Sequence, residues 1–184
     1  MVLKFIEAQI NRQNKHPFHQ GQAFWRELSR VPGFIYQMGG WNHYEPNTAI
    51  VAALWESIES HREFMRGAHD SIVNVSNQAK TIESIRVNFF DASPLSERER
   101  YALFEAPMIL FNRVGITLQV QGRSETGLDD PSLSFRLRNL EGKSAKLIPH
   151  KTNPNDVVAY ESRIVMRQEP DWRVRRQVEA AQGE

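Results

Sequence analysis

At 184 residues, with 40% hydrophobic and 24% charged side chains, the chain has the composition of a folded protein and the length to bury a real core. A net charge of +1 provides no field to recruit nucleic acid or an anionic membrane, and the absence of cysteine excludes disulfides, thiolate metal sites and thiol nucleophiles. No apolar run approaches the roughly 18 residues of a membrane span, and the opening MVLKFIEAQINRQNK lacks the charged n-region and long apolar core of a leader, so a soluble, cytoplasmic protein is expected.

The first segment, VLKFIEAQI, alternates as a strand does, with Val2, Ile6, Ala8 and Ile10 on one side and Leu3, Phe5, Glu7 and Gln9 on the other. A helix follows from about Pro17. At 100° per residue Phe18, Gly21, Phe24, Trp25 and Leu28 share one arc, while Arg26, Glu27 and Arg30 point away. VPGF breaks this helix, and FIYQMGGW and TAIVAALW read as two strands joined by the turn-rich GWNHYEPN. The second helix begins after Ser57, a suitable N-cap, and runs to about Asn77 with an irregularity at Gly67. IESIRVNFF supplies a fourth strand. The order is β-α-β-β-α-β, the ferredoxin-like arrangement, so the fold class is α+β. AIVAAL and FIYQM are apolar on both faces, whereas an antiparallel sheet with helices on one side should be wet on the other. That pattern predicts a homodimer in which two open sheet faces close into a shared barrel with the helices outside.

From about Ser93 the character changes. SERERYALFEAP reads as a short charged helix or linker, and ILFNRVGITLQVQG, LSFRLRNLEG and DVVAYESRIVMR read as strands. Residues 93–184 therefore form a β-rich extension that does not repeat the first half. Arg173, Arg175 and Arg176, with Glu169, Asp171 and Glu179 around them, are expected to form a solvated tail.

PGFIYQMGGW, then AIVAALWES, then FMRGAHD resemble, in order and spacing over residues 1–92, the antibiotic-biosynthesis-monooxygenase (ABM) type of dimeric α+β barrel. The resemblance implies that chemistry lies in a pocket between sheet and helices. It also implies a group that includes cofactor-independent monooxygenases, haem-degrading monooxygenases and proteins without an assigned activity. In the haem-degrading members a histidine on the second helix is the axial iron ligand, and His69 stands at a similar place. Those members also carry an asparagine on the first strand, where this chain has Gln9, and a tryptophan ahead of the histidine, where it has Phe64 and Met65.

On the second helix Ile58, His61, Phe64, Met65, Ala68 and Ile72 share the inward arc. A histidine in that company ordinarily satisfies a core hydrogen bond; facing a ligand, it would give or take a proton. Trp25, Tyr36, Trp55, Phe64 and Met65 are the expected lining of the pocket. His16 and His19, three apart across Pro17, lack a carboxylate to complete a metal site, so no metal is expected. No dinucleotide fingerprint is present, which leaves flavin and nicotinamide out of the expected function. That function is binding, or cofactor-independent oxidation, of a small apolar molecule whose carbanion passes an electron to oxygen, with His61 as base and Gln9 as orienter. The competing expectation is a non-enzymatic dimeric ligand-binding or interaction protein; haem binding at His69 stands third.

Overall fold

A computed structural model describes residues 1–106, 108–114, 117–123, 129–140 and 162–177. The chain order begins with β1 (Val2–Ile10), α1 (Lys15–Gln22), a 3-10 segment (Ala23–Arg30), β2 (Phe34–Asn42) and β3 (Thr48–Trp55). It continues with α2 (Ile58–Arg66), α3 (His69–Ser76) and β4 (Ile82–Asp91). These strands pair antiparallel in the order β2-β3-β1-β4, which is the ferredoxin-like sheet. The second half adds α4 (Glu97–Glu105), β5 (Met108–Val114), β6 (Thr117–Arg123), β7 (Asp129–Asn139), β8 (Ser162–Gln168) and β9 (Val174–Arg175). The expected strand ILFNRVGITLQVQG is thus a hairpin, β5 and β6, and residues 156–161 of DVVAYESRIVMR lie outside the described residues.

β4 pairs with β7, which leads through β6, β5 and β8 back to β2, so eight strands close one barrel. This corrects the reason for expecting a second copy. The inner faces of β2 and β3, with Met38, Ile50, Ala52 and Leu54, are covered by Ile109, Phe111, Ile164 and Met166 of the same chain. Phe5 meets Phe90 at 6.3 Å and Phe111 at 4.8 Å between ring centroids, joining the two halves at the barrel axis. Strands on both sides of residue 92 therefore share one sheet and one core. Gly40 makes the β2–β8 junction possible: a Cβ there would collide with the Arg167 carbonyl.

α4 covers one end of the barrel. Its Ser96 side chain receives the Glu99 amide while Glu99 returns to the Ser96 amide, a complete capping box, and Leu103 and Phe104 join the barrel core. Gln168 secures the far end of this helix through the carbonyls of Leu103, at 3.2 Å, and Ala106. The segment with the three arginines, expected as a solvated tail, is instead tied to the barrel, with Arg175 itself exposed. Arg175 lies opposite Tyr36 in the sheet, Arg176 pairs with Glu56 at 2.7 Å and Arg173 with Glu105 at 3.8 Å.

The other helices lie on the outer face of the first sheet. Ser57 caps α2 by accepting the Ser60 amide, and the helix stops at Gly67, so α3 starts afresh at His69. The first helix changes character midway. α1 gives way to a 3-10 segment at Ala23, and three residues per turn place Gln22, Trp25 and Leu28 in one row, while Phe24 turns out to 44% exposure.

Candidate functional site

The row Gln22, Trp25 and Leu28 faces the sheet across a cavity of about 80 Å³. From the sheet, Lys4, Ile6 and Ala8 of β1, Gln37 of β2, and Val51, Ala53 and Trp55 of β3 point into it; Phe64 closes it from α2. Lys4 and Gln37 both oppose Ala53, one on each side, so their side chains flank a small residue in a single row across the sheet. Gln78 fixes the helical wall by accepting from the Trp25 indole at 2.5 Å and donating to the Phe18 carbonyl at 2.8 Å.

This apolar space contains polar groups without partners. The Gln22 Oε1, Gln37 Nε2 and Trp55 Nε1 atoms are buried and make no hydrogen bond. Such atoms are uncommon in folded proteins and carry a desolvation cost. Lys4 adds a cation. Among the described residues no carboxylate pairs with it, and burial pushes its pKa down to about 8.

The expected site residues divide. Trp25, Trp55 and Phe64 line the cavity as expected. Tyr36 does not, because a bulge between Phe34 and Tyr36 reverses the alternation: Phe34 packs outward on Trp55, and Tyr36 turns into the barrel beside Phe104, 5.2 Å away. Met65 is exposed, since the inward stripe of α2 is narrow and holds only His61 and Phe64. Gln9 lies on the opposite face of β1 from Lys4, near the strand end, where it donates to Thr48 at 2.8 Å; alternation alone excludes it from the cavity.

His61 stands behind the lining rather than in it. Its ring is boxed by Phe89 at 5.0 Å, Trp55 at 5.3 Å and Phe64 at 6.3 Å, and its buried Nε2 has no partner. Burial first, then the charges of Lys4 and His69, push its pKa down to about 4, so the imidazole is neutral at physiological pH and a weak base. His69 packs on Phe64 at 5.6 Å and Trp25 at 6.1 Å, and its Nδ1 is 2.8 Å from Asp70 Oδ1. His69 itself does not line the sheet-helix cavity, whose volume of about 80 Å³ falls well short of the ~300 Å³ at which pockets for organic ligands begin. His19 is engaged elsewhere, accepting from the Trp172 indole at 3.1 Å.

Sequence reasoning missed Lys4, Gln22 and Gln37. The signal for Lys4 was present: in Val2-Lys4-Ile6-Ala8-Ile10 a lysine occupies the apolar phase of a strand, a place that costs desolvation.

The family model described as "Domain of unknown function (DUF4937)" matches residues 2–90. The "Uncharacterized protein YdbC" of Bacillus subtilis (strain 168) is 36% identical over 93 residues, which are 50% of this chain and 78% of YdbC. Among solved structures, a "putative monooxygenase" from Lactobacillus acidophilus NCFM superposes with a TM-score of 0.52 at 8% identity, over 95% of each chain. Another "putative monooxygenase", from Fusobacterium nucleatum subsp. nucleatum ATCC 25586, gives 0.51 at 10% identity over 91% of each. At such identities the likeness is one of fold alone, but it runs through both halves of the chain, beyond the sequence resemblance over residues 1–92. The chain thus shares the α+β barrel fold of these two structures and, by its match to most of YdbC, belongs to the YdbC family.

Proposed function

We propose that the cavity between sheet and helices binds a small, largely apolar molecule with an acidic C–H bond and oxidises it with dioxygen, Lys4 being the group that handles the proton. The observation that carries this reading is an amine with no carboxylate partner among the described residues, in an apolar cavity whose lining also holds the unpartnered Gln22 Oε1, Gln37 Nε2 and Trp55 Nε1 atoms. With its pKa near 8, roughly a tenth of the amine is neutral at physiological pH, enough to act as a base. Once protonated, the ammonium sits beside the carbanion it has made and stabilises it in a medium of low dielectric. The carbanion passes one electron to dioxygen, the radical pair joins as a peroxide, and loss of water leaves a carbonyl. A CH₂ group and O₂ thereby become C=O and H₂O. Gln37 and the Trp55 indole supply donors for the developing oxyanion. Entry of a ligand larger than the present cavity requires the half-buried Trp25 of the 3-10 segment to turn aside.

The test is oxygen uptake with 2-tetralone, a bicyclic ketone whose C1 hydrogens are acidified by carbonyl and ring together. Uptake above the buffer rate is expected, reduced by roughly 100-fold or more in Lys4→Met. Undiminished uptake in that variant would remove Lys4 from the reaction. A second reading, a binding protein without chemistry, is favoured by the small volume of the cavity. It predicts that 2-tetralone perturbs the Trp25 and Trp55 indole resonances while oxygen is not consumed.

A further inference from the structure

A second concavity lies on the opposite face of β2, between the barrel rim and α4. Gln37 faces the first cavity and its neighbour Tyr36 faces this one, a groove of about 590 Å³ and so within the ordinary range for small-molecule sites. Arg98 and Arg100 of α4 and Arg175 of β9 line it, against a single carboxylate, Glu97. Among the described residues none of the three arginines forms an ion pair. Arg100 donates to the Ser96 carbonyl at 3.3 Å and to Met1 Sδ at 3.0 Å, and Arg175 lies 5.5 Å over the Tyr101 ring. The adjacent Arg173 and Arg176 are both paired with glutamates, so unpaired arginine is not the habit of this segment.

Tyr36 is the second, independent observation. Its side chain is 5% exposed, and its buried hydroxyl has no hydrogen-bond partner. Burial pushes its pKa up while the charge of Arg100 acts in the other direction. The hydroxyl therefore stays protonated at neutral pH, a donor at the floor of a cationic groove. Such a donor is costly unless something accepts from it.

We propose that this groove binds a small aromatic carboxylate, its oxygens held by the Arg98, Arg100 and Arg175 guanidinium groups and the Tyr36 hydroxyl, and its ring packed on Tyr101 and Phe104. The planar fork of a guanidinium matches a carboxylate. Glu97 in the lining disfavours a polyanion, and the aromatic wall rewards a flat apolar body over a free inorganic ion. The site is separate from the oxidation assigned to the sheet-helix cavity and stands without it.

Calorimetric titration of the full chain with 2-naphthoate, and with 2-naphthalenemethanol as its neutral counterpart, tests the assignment. Naphthoate should bind at least about tenfold more tightly than the alcohol. The double variant Arg98→Gln/Arg175→Gln should erase that preference, and Tyr36→Phe should weaken naphthoate by about three- to tenfold with Tm retained. Lys4→Met should leave naphthoate affinity unchanged, because Lys4 faces the other cavity. Equal affinities for the two compounds, no binding of either, or a loss of naphthoate binding in Lys4→Met with none in the arginine variants would each overturn the proposal.

Discussion

Lys4 on β1 points into the sheet-helix cavity and His61 on α2 stands behind its lining, and the charge of the lysine is, after burial itself, the largest influence holding the imidazole near 4. Two basic groups are thus desolvated together, with no carboxylate paired to Lys4 among the described residues. A chain selected only for stability would place a leucine or methionine at one of these positions.

Lys4→Met should accordingly stabilise the protein. Between the folded pKa of about 8 and the ordinary lysine value of about 10.4 the unfolded chain binds more protons than the folded one, so stability rises with pH through that window. At neutral pH the lysine therefore costs, by an order-of-magnitude estimate, ~1–3 kcal/mol. Thermal unfolding should show a higher Tm for the variant at neutral pH, and the advantage should shrink as pH rises through the window. A lower Tm at neutral pH would mean that Lys4 has a partner on which folding depends.

For His61→Leu the window lies on the acid side. The unfolded imidazole protonates near 6.5 and the folded one near 4, so the wild type loses stability as pH falls between them. The variant should lack that component, worth up to ~3 kcal/mol, while differing by no more than ~1 kcal/mol at neutral pH, since no partner of Nε2 is left unpaired. Denaturant unfolding of both proteins across the acid range measures the difference. Parallel pH profiles would refute a buried neutral imidazole.

Phe111→Ala tests the joint between the halves. The ring is fully buried against Phe5, and its removal should cost about 3–5 kcal/mol. Chemical denaturation should remain a single transition, because one core spans both halves. Two transitions would show that the halves unfold separately.

A fragment ending at residue 92 should associate. Without β5–β8 it exposes Leu3, Phe5, Met38, Ile50 and Phe90 together, an apolar surface larger than soluble monomers tolerate. Light scattering should return the mass of one chain for the full protein and of two or more for the fragment. A stable monomeric fragment would contradict the barrel as described.

The local elements were legible, and the long-range ones were not. β1 matches its expected segment because strict alternation signals a strand, and the Ser57 cap and the Gly67 break stand in the expected places. The 3-10 turn of Ala23–Arg30 left no signal because Trp25 and Leu28, three residues apart, fall on the same side at both 100° and 120° per residue. Closure through β4–β7 and β2–β8 left no local trace, so the doubly apolar strands pointed to a partner when the cover was the chain's own second half. Half of the candidate site was legible in the aromatics, Trp25, Trp55 and Phe64. Of the polar half, Lys4 had a signal in the apolar phase of β1, whereas Gln37 had none, because a bulge at Ile35 exchanges the faces of Tyr36 and Gln37.

The most direct measurement is the titration of Lys4 itself. Its 13Cε resonance, assigned by its disappearance in Lys4→Arg, would be followed from about pH 6 to about pH 11. A desolvated amine with no carboxylate partner among the described residues should titrate near 8, and its resonance should move when 2-tetralone is added. A midpoint at the ordinary lysine value of about 10.4, unchanged by the ketone, would contradict the assignment of this cavity as the functional site.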